Sequence, residues 1–152
     1  MTARFLRNRR GGASLELALI TPLLLLLFIG TYDMGFLFYA QSQVETAANA
    51  GALLAAKQGF AKFDANVVSS AIQGASYPLV ISIPTAPYTA CGCPNGTSGL
   101  TSQTCGNPCP DALSNAVPYV VVSAQANTFG ILNWGGAYPQ TVQAGFVMRL
   151  TP

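Results

Sequence analysis

The chain has 152 residues, 51% of them apolar and only 8% charged, with seven Lys and Arg against five Asp and Glu. It contains no histidine, which removes His-based triads, histidine general bases and histidine metal ligands together. Four of the basic residues, Arg4, Arg7, Arg9 and Arg10, fall within residues 1–11, so the remainder holds three basic groups against five acidic ones, a net of −2. The basicity is therefore a feature of the N-terminus and not a nucleic-acid footprint, and the length suits one compact domain hung on one long helix.

Residues 1–11 are polar and basic, and are expected to be a disordered leader. From Leu17 to about Phe38 the only formal charge is Asp33. At ~1.5 Å rise per residue a helix over this run spans about 33 Å, enough for a bilayer core of about 30 Å. The apolar core of a secretory signal peptide is shorter, about 7 to 15 residues. The four arginines precede the run, which predicts a cytoplasmic N-terminus and an extracytoplasmic chain beyond Tyr39. Tyr32, Asp33 and Tyr39 then fall where the helix leaves the hydrocarbon.

Two residues in this segment stand out. Glu16 is an ionisable group at the edge of a membrane helix, a costly placement that favours pairing or a function. The plainer reading sets it at headgroup level in the first turn, where its charge suits the helix dipole. Pro22 lacks an N–H donor and frees the carbonyl of Ala18, so a kink or local loosening is expected, although membrane helices tolerate proline.

The helix is expected to continue as residues 41–59, for a total of about 45 residues and nearly 70 Å. Ala47-x-x-x-Gly51 and Ala48-x-x-x-Ala52 place small residues four apart on one face, where another backbone can approach closely. Alanine's high helix propensity accounts for the same composition equally well. Residues 60–63 look like a break, and Asp64 can cap a short helix through about Gln73, with Val67, Val68, Ala71 and Ile72 as its apolar stripe and Gly74 as its stop. The period then changes from helical to alternating. Leu79, Ile81 and Ile83 share one face of a first strand. Val120, Val122, Ala124 and Ala126 share one face of a second, over about 119–129, and Val142, Ala144, Phe146, Met148 and Leu150 of a third. Three strands with one apolar face need a cover, which the second half of the long helix or the short helix would supply.

All four cysteines lie in residues 91–109, among turn-forming residues. An even number outside the cytoplasm reads as disulfides. A Cys91–Cys93 bond would close a strained ring, leaving Cys91–Cys105 with Cys93–Cys109, or Cys91–Cys109 with Cys93–Cys105. Each bridge is worth roughly 3 kcal/mol in the loop-entropy model. A four-cysteine zinc site is the weaker alternative, because CxC and CxxxC depart from the usual paired CxxC spacing. Asn95-Gly-Thr97 reads as a turn before it reads as a glycosylation sequon. Beyond the apolar run the carboxylates are Glu45, Asp64 and Asp111, and their spacing indicates no acid–base pair. The chain is expected not to be an enzyme and to need no metal or cofactor.

Gly11 followed by Gly12-Ala13-Ser14-Leu15-Glu16 resembles a type IV prepilin processing site, in which the peptidase cuts after a glycine and glutamate becomes the fifth mature residue. A cut after Gly11 makes Glu16 that residue, whereas a cut after Gly12 makes it the fourth. The pattern Glu16-x-Ala18-x-x-x-Pro22, followed by Gly30, Gly35 and the small residues ending near Ala52, resembles the TadE-like family of minor pilin-like components of tight-adherence (Tad) pilus machinery. The resemblance covers roughly the first 60 residues. Leu17 stands where a major Flp-type pilin is expected to have tyrosine, which favours a minor component.

The resemblance implies a pilin-like α+β chain, with a leader over 1–11, a long helix over 12–60 spanning the bacterial inner membrane at about 17–38, and an extracytoplasmic domain over 61–152. That domain is expected to hold a short helix, a small antiparallel sheet of about three strands and the disulfide loop 91–109. Implied partners are a prepilin peptidase, pilin and pilin-like subunits and the Tad assembly platform, with no nucleic acid and no small-molecule substrate. Glu16 and Pro22 would serve assembly and register. A rival reading is an uncleaved membrane-anchored binding or adhesion domain that presents the disulfide loop.

Overall fold

The computed structural model describes residues 12–75, 79–95, 99–110, 114–131 and 139–150. The leader with Gly11, residues 96 and 97 of the sequon and Asp111 lie outside these. Helix α1 (Gly12–Gln58) runs 47 residues without interruption through Pro22. At ~1.5 Å per residue it is about 70 Å long. Its end is set by Gly59, whose φ of 72° is a left-handed conformation that favours glycine. A 3₁₀ turn over Phe60–Lys62 follows, at the break expected over 60–63.

Helix α2 (Ala65–Gly74) starts where the sequence places its cap. The Asp64 carboxylate accepts from the N–H of Asn66 at 2.8 Å and of Val67 at 3.5 Å, satisfying donors that the first turn cannot pair internally. Of the expected stripe, Val68 and Ile72 are fully buried, while Val67 stays largely exposed.

Five strands form one antiparallel sheet: β1 (Ile81–Ser82), β2 (Tyr88–Asn95), β3 (Gly99–Ser102), β4 (Val117–Asn127) and β5 (Thr141–Arg149). β4 is the spine. β5 pairs along one side of it, from Tyr119↔Arg149 to Asn127↔Thr141. On the other side β2 pairs with its first half and β1 with its last residues. β3 extends the sheet from β2. The α+β class, the antiparallel pairing and the disulfide loop agree with expectation. The sheet is larger than the three strands expected, because β2 and β3 lie in and around the cysteine-rich stretch, whose Gly, Pro and Asn residues hide the strand pattern.

The predicted inward faces are inward. Val120, Val122, Ala124 and Ala126 are fully buried, and Val142 and Leu150 are nearly so. Their cover is the second half of α1, whose Ala40, Val44, Ala47, Ala48, Ala52 and Ala55 join them and Ile72 in one core. These positions recur every three or four residues, the period of one helix face. Small side chains let α1 lie close to the sheet, and α2 packs along α1 with Ile72 filling the space above Gly51.

Candidate functional site

The first half of α1 is the opposite of the second. From Ser14 to Phe28 every side chain but the half-buried Thr21 is exposed, Leu15, Leu19 and Phe28 by more than 70%. The apolar window of this helix is not covered by the chain at all, so it is not the core helix of a soluble fold. By length and composition it can cross a membrane. Its hydroxyls are satisfied within the helix: Thr21 donates to the Leu17 carbonyl at 2.6 Å and Thr31 to the Leu27 carbonyl at 2.8 Å. Such internal pairing suits a segment with no water to bond.

Glu16 is exposed. Pro22 interrupts neither the helix nor the exposed stripe. Gly12, the first of the described residues, is helical.

Ala47, Ala48, Gly51 and Ala52 are buried within the chain's own fold. The neighbours that approach this small-residue face are Ile72 of α2 and the inward face of the sheet, including Val122. The close-approach spacing is thus used within the molecule, and the surface left uncovered on α1 is the segment before Asp33.

Asp33 marks the boundary between these halves, and its role is not legible in the sequence. Its carboxylate is 3% exposed and accepts a hydrogen bond of 2.9 Å from the Ile131 N–H, 98 residues away. One helical turn further, the Phe36 ring lies against Phe129, with centroids 5.3 Å apart. The segment after β4 therefore clasps α1 at the point where the uncovered run ends. Its base is closed by Thr128, which donates from its N–H to the Gln140 carbonyl at 2.9 Å and from its hydroxyl to the Pro139 carbonyl. The covering thus begins on one face at Asp33, ahead of Phe38 where the apolar run was expected to end. On the other face Met34, Phe38 and Tyr39 remain exposed. The only signal for this contact was a lone carboxylate in an apolar run, which an interfacial anchor explains equally well. Asp33→Ala is expected to lower the stability of the solubilised chain by about 2 kcal/mol, with Asp33→Asn intermediate, read as a drop in the urea midpoint. An unchanged midpoint would show that the clasp contributes nothing to the fold.

At the far end of the sheet the cysteines pair as Cys91–Cys105 and Cys93–Cys109, with Cα separations of 5.2 and 5.7 Å. Both distances suit disulfides. The four sulfurs are bonded to one another, so they are not thiolates available to a metal, and no cluster of ligating side chains occurs among the described residues. Cys93, Cys109 and Ala116 make a small second core. Between the bridged residues Gly92 passes so close to β3 that a Cβ there would lie 2.8 Å from the Thr101 carbonyl oxygen. Asn95 closes the β2–β3 hairpin through its side-chain oxygen, which accepts from the Gly99 N–H at 2.9 Å.

Comparison with known proteins bears on the helix and not on the sheet. No curated protein and no solved structure matches the chain. Residues 11–53, which run from the glycine pair through the uncovered apolar segment to the small-residue face, match the family model for TadE-like protein, so over that segment the chain is similar to TadE-like proteins.

Proposed function

We propose that this chain is a TadE-like minor pseudopilin that takes part in assembling or priming a Tad-type pilus. It would cross the bacterial inner membrane once, with its N-terminus cytoplasmic and its sheet domain outside, and would be cut by a prepilin peptidase after Gly11. The observation that supports this most directly is a helix with Glu16 exposed and its apolar side chains left uncovered from Leu15 to Phe28. Cleavage after Gly11 would create an α-amino group at Gly12. Glu16 of a neighbouring subunit would pair with that group at the membrane surface, offsetting the cost of two isolated charges and setting the stagger of adjacent helices.

The packing of the small-residue face narrows where subunits would meet. Ala47, Ala48, Gly51 and Ala52 are occupied by the chain's own sheet and α2. Lateral contacts with pilins, pilin-like subunits or the assembly platform fall instead to the segment before Asp33, which contains Pro22. There the missing donor at Pro22 lets the helix adjust locally when subunits pack. The role is assembly and not catalysis: the chain has no histidine, and two of its five carboxylates serve as a helix cap at Asp64 and a clasp at Asp33.

N-terminal sequencing of the membrane-extracted protein tests the proposal. Gly12 is the expected first residue, Ala13 would move the cut by one, and Met1 or Thr2 would refute processing in favour of an uncleaved anchored binding domain. Glu16→Ala is expected to be processed, by intact mass, yet to lose assembly. Normal piliation by that variant would remove the pairing role.

A further inference from the structure

We infer that the segment leaving β4, at Phe129 and Ile131, is a second membrane contact that inserts into the boundary between headgroups and acyl chains beside α1. This rests on the proposal that α1 spans a membrane. Phe129 is 75% exposed and Ile131 62%. Neither side chain is displayed at random. The Ile131 N–H is held by the Asp33 carboxylate, and the Phe129 ring by Phe36. Both are thereby fixed at the level where the uncovered run of α1 ends, next to exposed Tyr32 and Met34.

The direction of the sheet sets the same level independently. α1 passes Ile131 at Asp33 and Val122 at Gly51, so β4 runs back toward the uncovered half of α1 as the helix runs away from it. The end of the sheet formed by Asn127 and Thr141 therefore faces any bilayer that α1 crosses. The described residues there, 127–131 and 139–142, include no ionisable side chain. At the opposite end the exposed residues are polar, among them Thr101, Ser102, Gln103, Thr104 and Asn107. Among the described residues the tip is uncharged and bears Phe129 and Ile131 exposed, at the depth where interfacial aromatics anchor membrane helices, which fits the lipid boundary. The clasp also covers the Asp33 carboxylate, which would otherwise meet hydrocarbon at that depth. With α1 as one contact and this tip as another, the domain would be held in one orientation on the membrane.

The test uses the full chain in phosphatidylcholine vesicles, with the single native tryptophan replaced by Trp134→Phe so that one introduced tryptophan reports depth. Phe28→Trp marks the spanning helix. Tyr88→Trp marks the distant sheet, since Tyr88 pairs with Val121, six residues back along β4 from Asn127 and so about 20 Å away. Phe129→Trp and Ile131→Trp are each expected to lose about twofold in fluorescence when the lipid is brominated at shallow acyl carbons, with Tyr88→Trp unaffected. Having two reporters covers the failure of either variant to fold. If Phe28→Trp is quenched while both tip reporters behave like Tyr88→Trp, the tip faces water or a neighbouring subunit and the inference fails alone. If Phe28→Trp is also unquenched, the membrane-spanning reading fails with it.

Discussion

Gly51→Leu is expected to destabilise the sheet domain by about 3 kcal/mol, through overpacking of a close helix–helix contact. A Cβ at Gly51 would fall well inside van der Waals distance of Ile72 Cγ1, lie 2.9 Å from Ile72 Cδ1 and touch Val122 at 3.5 Å. Ile72 cannot simply swing away, because it is fully buried and among the largest such side chains of the described residues. The helix propensity of leucine returns just under 1 kcal/mol of this, which is too little to reverse the sign. Gly51→Ala sets a similar gain against a smaller clash and is expected to cost about 1 kcal/mol. Ile72→Ala alone should cost about 3 kcal/mol by opening a cavity in the same place.

The double variant Gly51→Leu with Ile72→Ala should then lose less than the two single losses combined, by roughly 1–3 kcal/mol, since the new side chain fills the space the old one leaves. Urea midpoints of the four solubilised proteins provide the measurement. Strictly additive losses would show that α1 and α2 do not compete for one volume. Because the contact lies within the chain, processing at the N-terminus should be unchanged in each variant that folds.

Removing the Cys93–Cys109 bridge as Cys93→Ala with Cys109→Ala should cost about 4 kcal/mol, against about 3 kcal/mol for Cys91→Ala with Cys105→Ala. The loop terms are nearly equal, since the bridges span 16 and 14 residues. The difference comes from burial. Cys93 and Cys109 are 3% and 4% exposed and pack with Ala116, whereas Cys91 is half-buried and Cys105 is exposed. Denaturant midpoints of the two double variants test the order. Connectivity has its own test, because Cys91→Ser alone should leave Cys105 as the one alkylatable thiol. Labelling of Cys109 instead would establish the crossed pairing.

Which features were legible in the sequence follows from how local their causes are. Asp64 announces α2 because a capping carboxylate acts on N–H groups two and three residues away. Val120 to Ala126 and Val142 to Leu150 announce their strands because alternation marks which side chains turn inward. β2 and β3 were hidden for the converse reason. Tyr88–Asn95 and Gly99–Ser102 lack a clean alternation, and they are held by pairing with β4 and by the two bridges. β1 shortened to Ile81–Ser82 because it meets β4 over only two residues.

The sequence by itself determined the glycine pair ahead of an apolar, membrane-length helix, the cap, the inward faces of the strands and the confinement of the cysteines to one loop. Each is written in composition or in a period of a few residues. Only the tertiary structure decided what the small-residue face of α1 packs against, which cysteines join, and that Asp33 clasps Ile131 across 98 residues of chain. Those contacts depend on how separate elements meet in space. An alanine stripe suits a neighbour's helix as well as its own sheet, and a lone aspartate at the end of an apolar run suits a headgroup as well as a backbone N–H. Close packing of α1 on β4 and β5 removes the choice in both cases, turning the second half of the helix inward and leaving the segment from Leu15 to Phe28 as the uncovered apolar surface of α1.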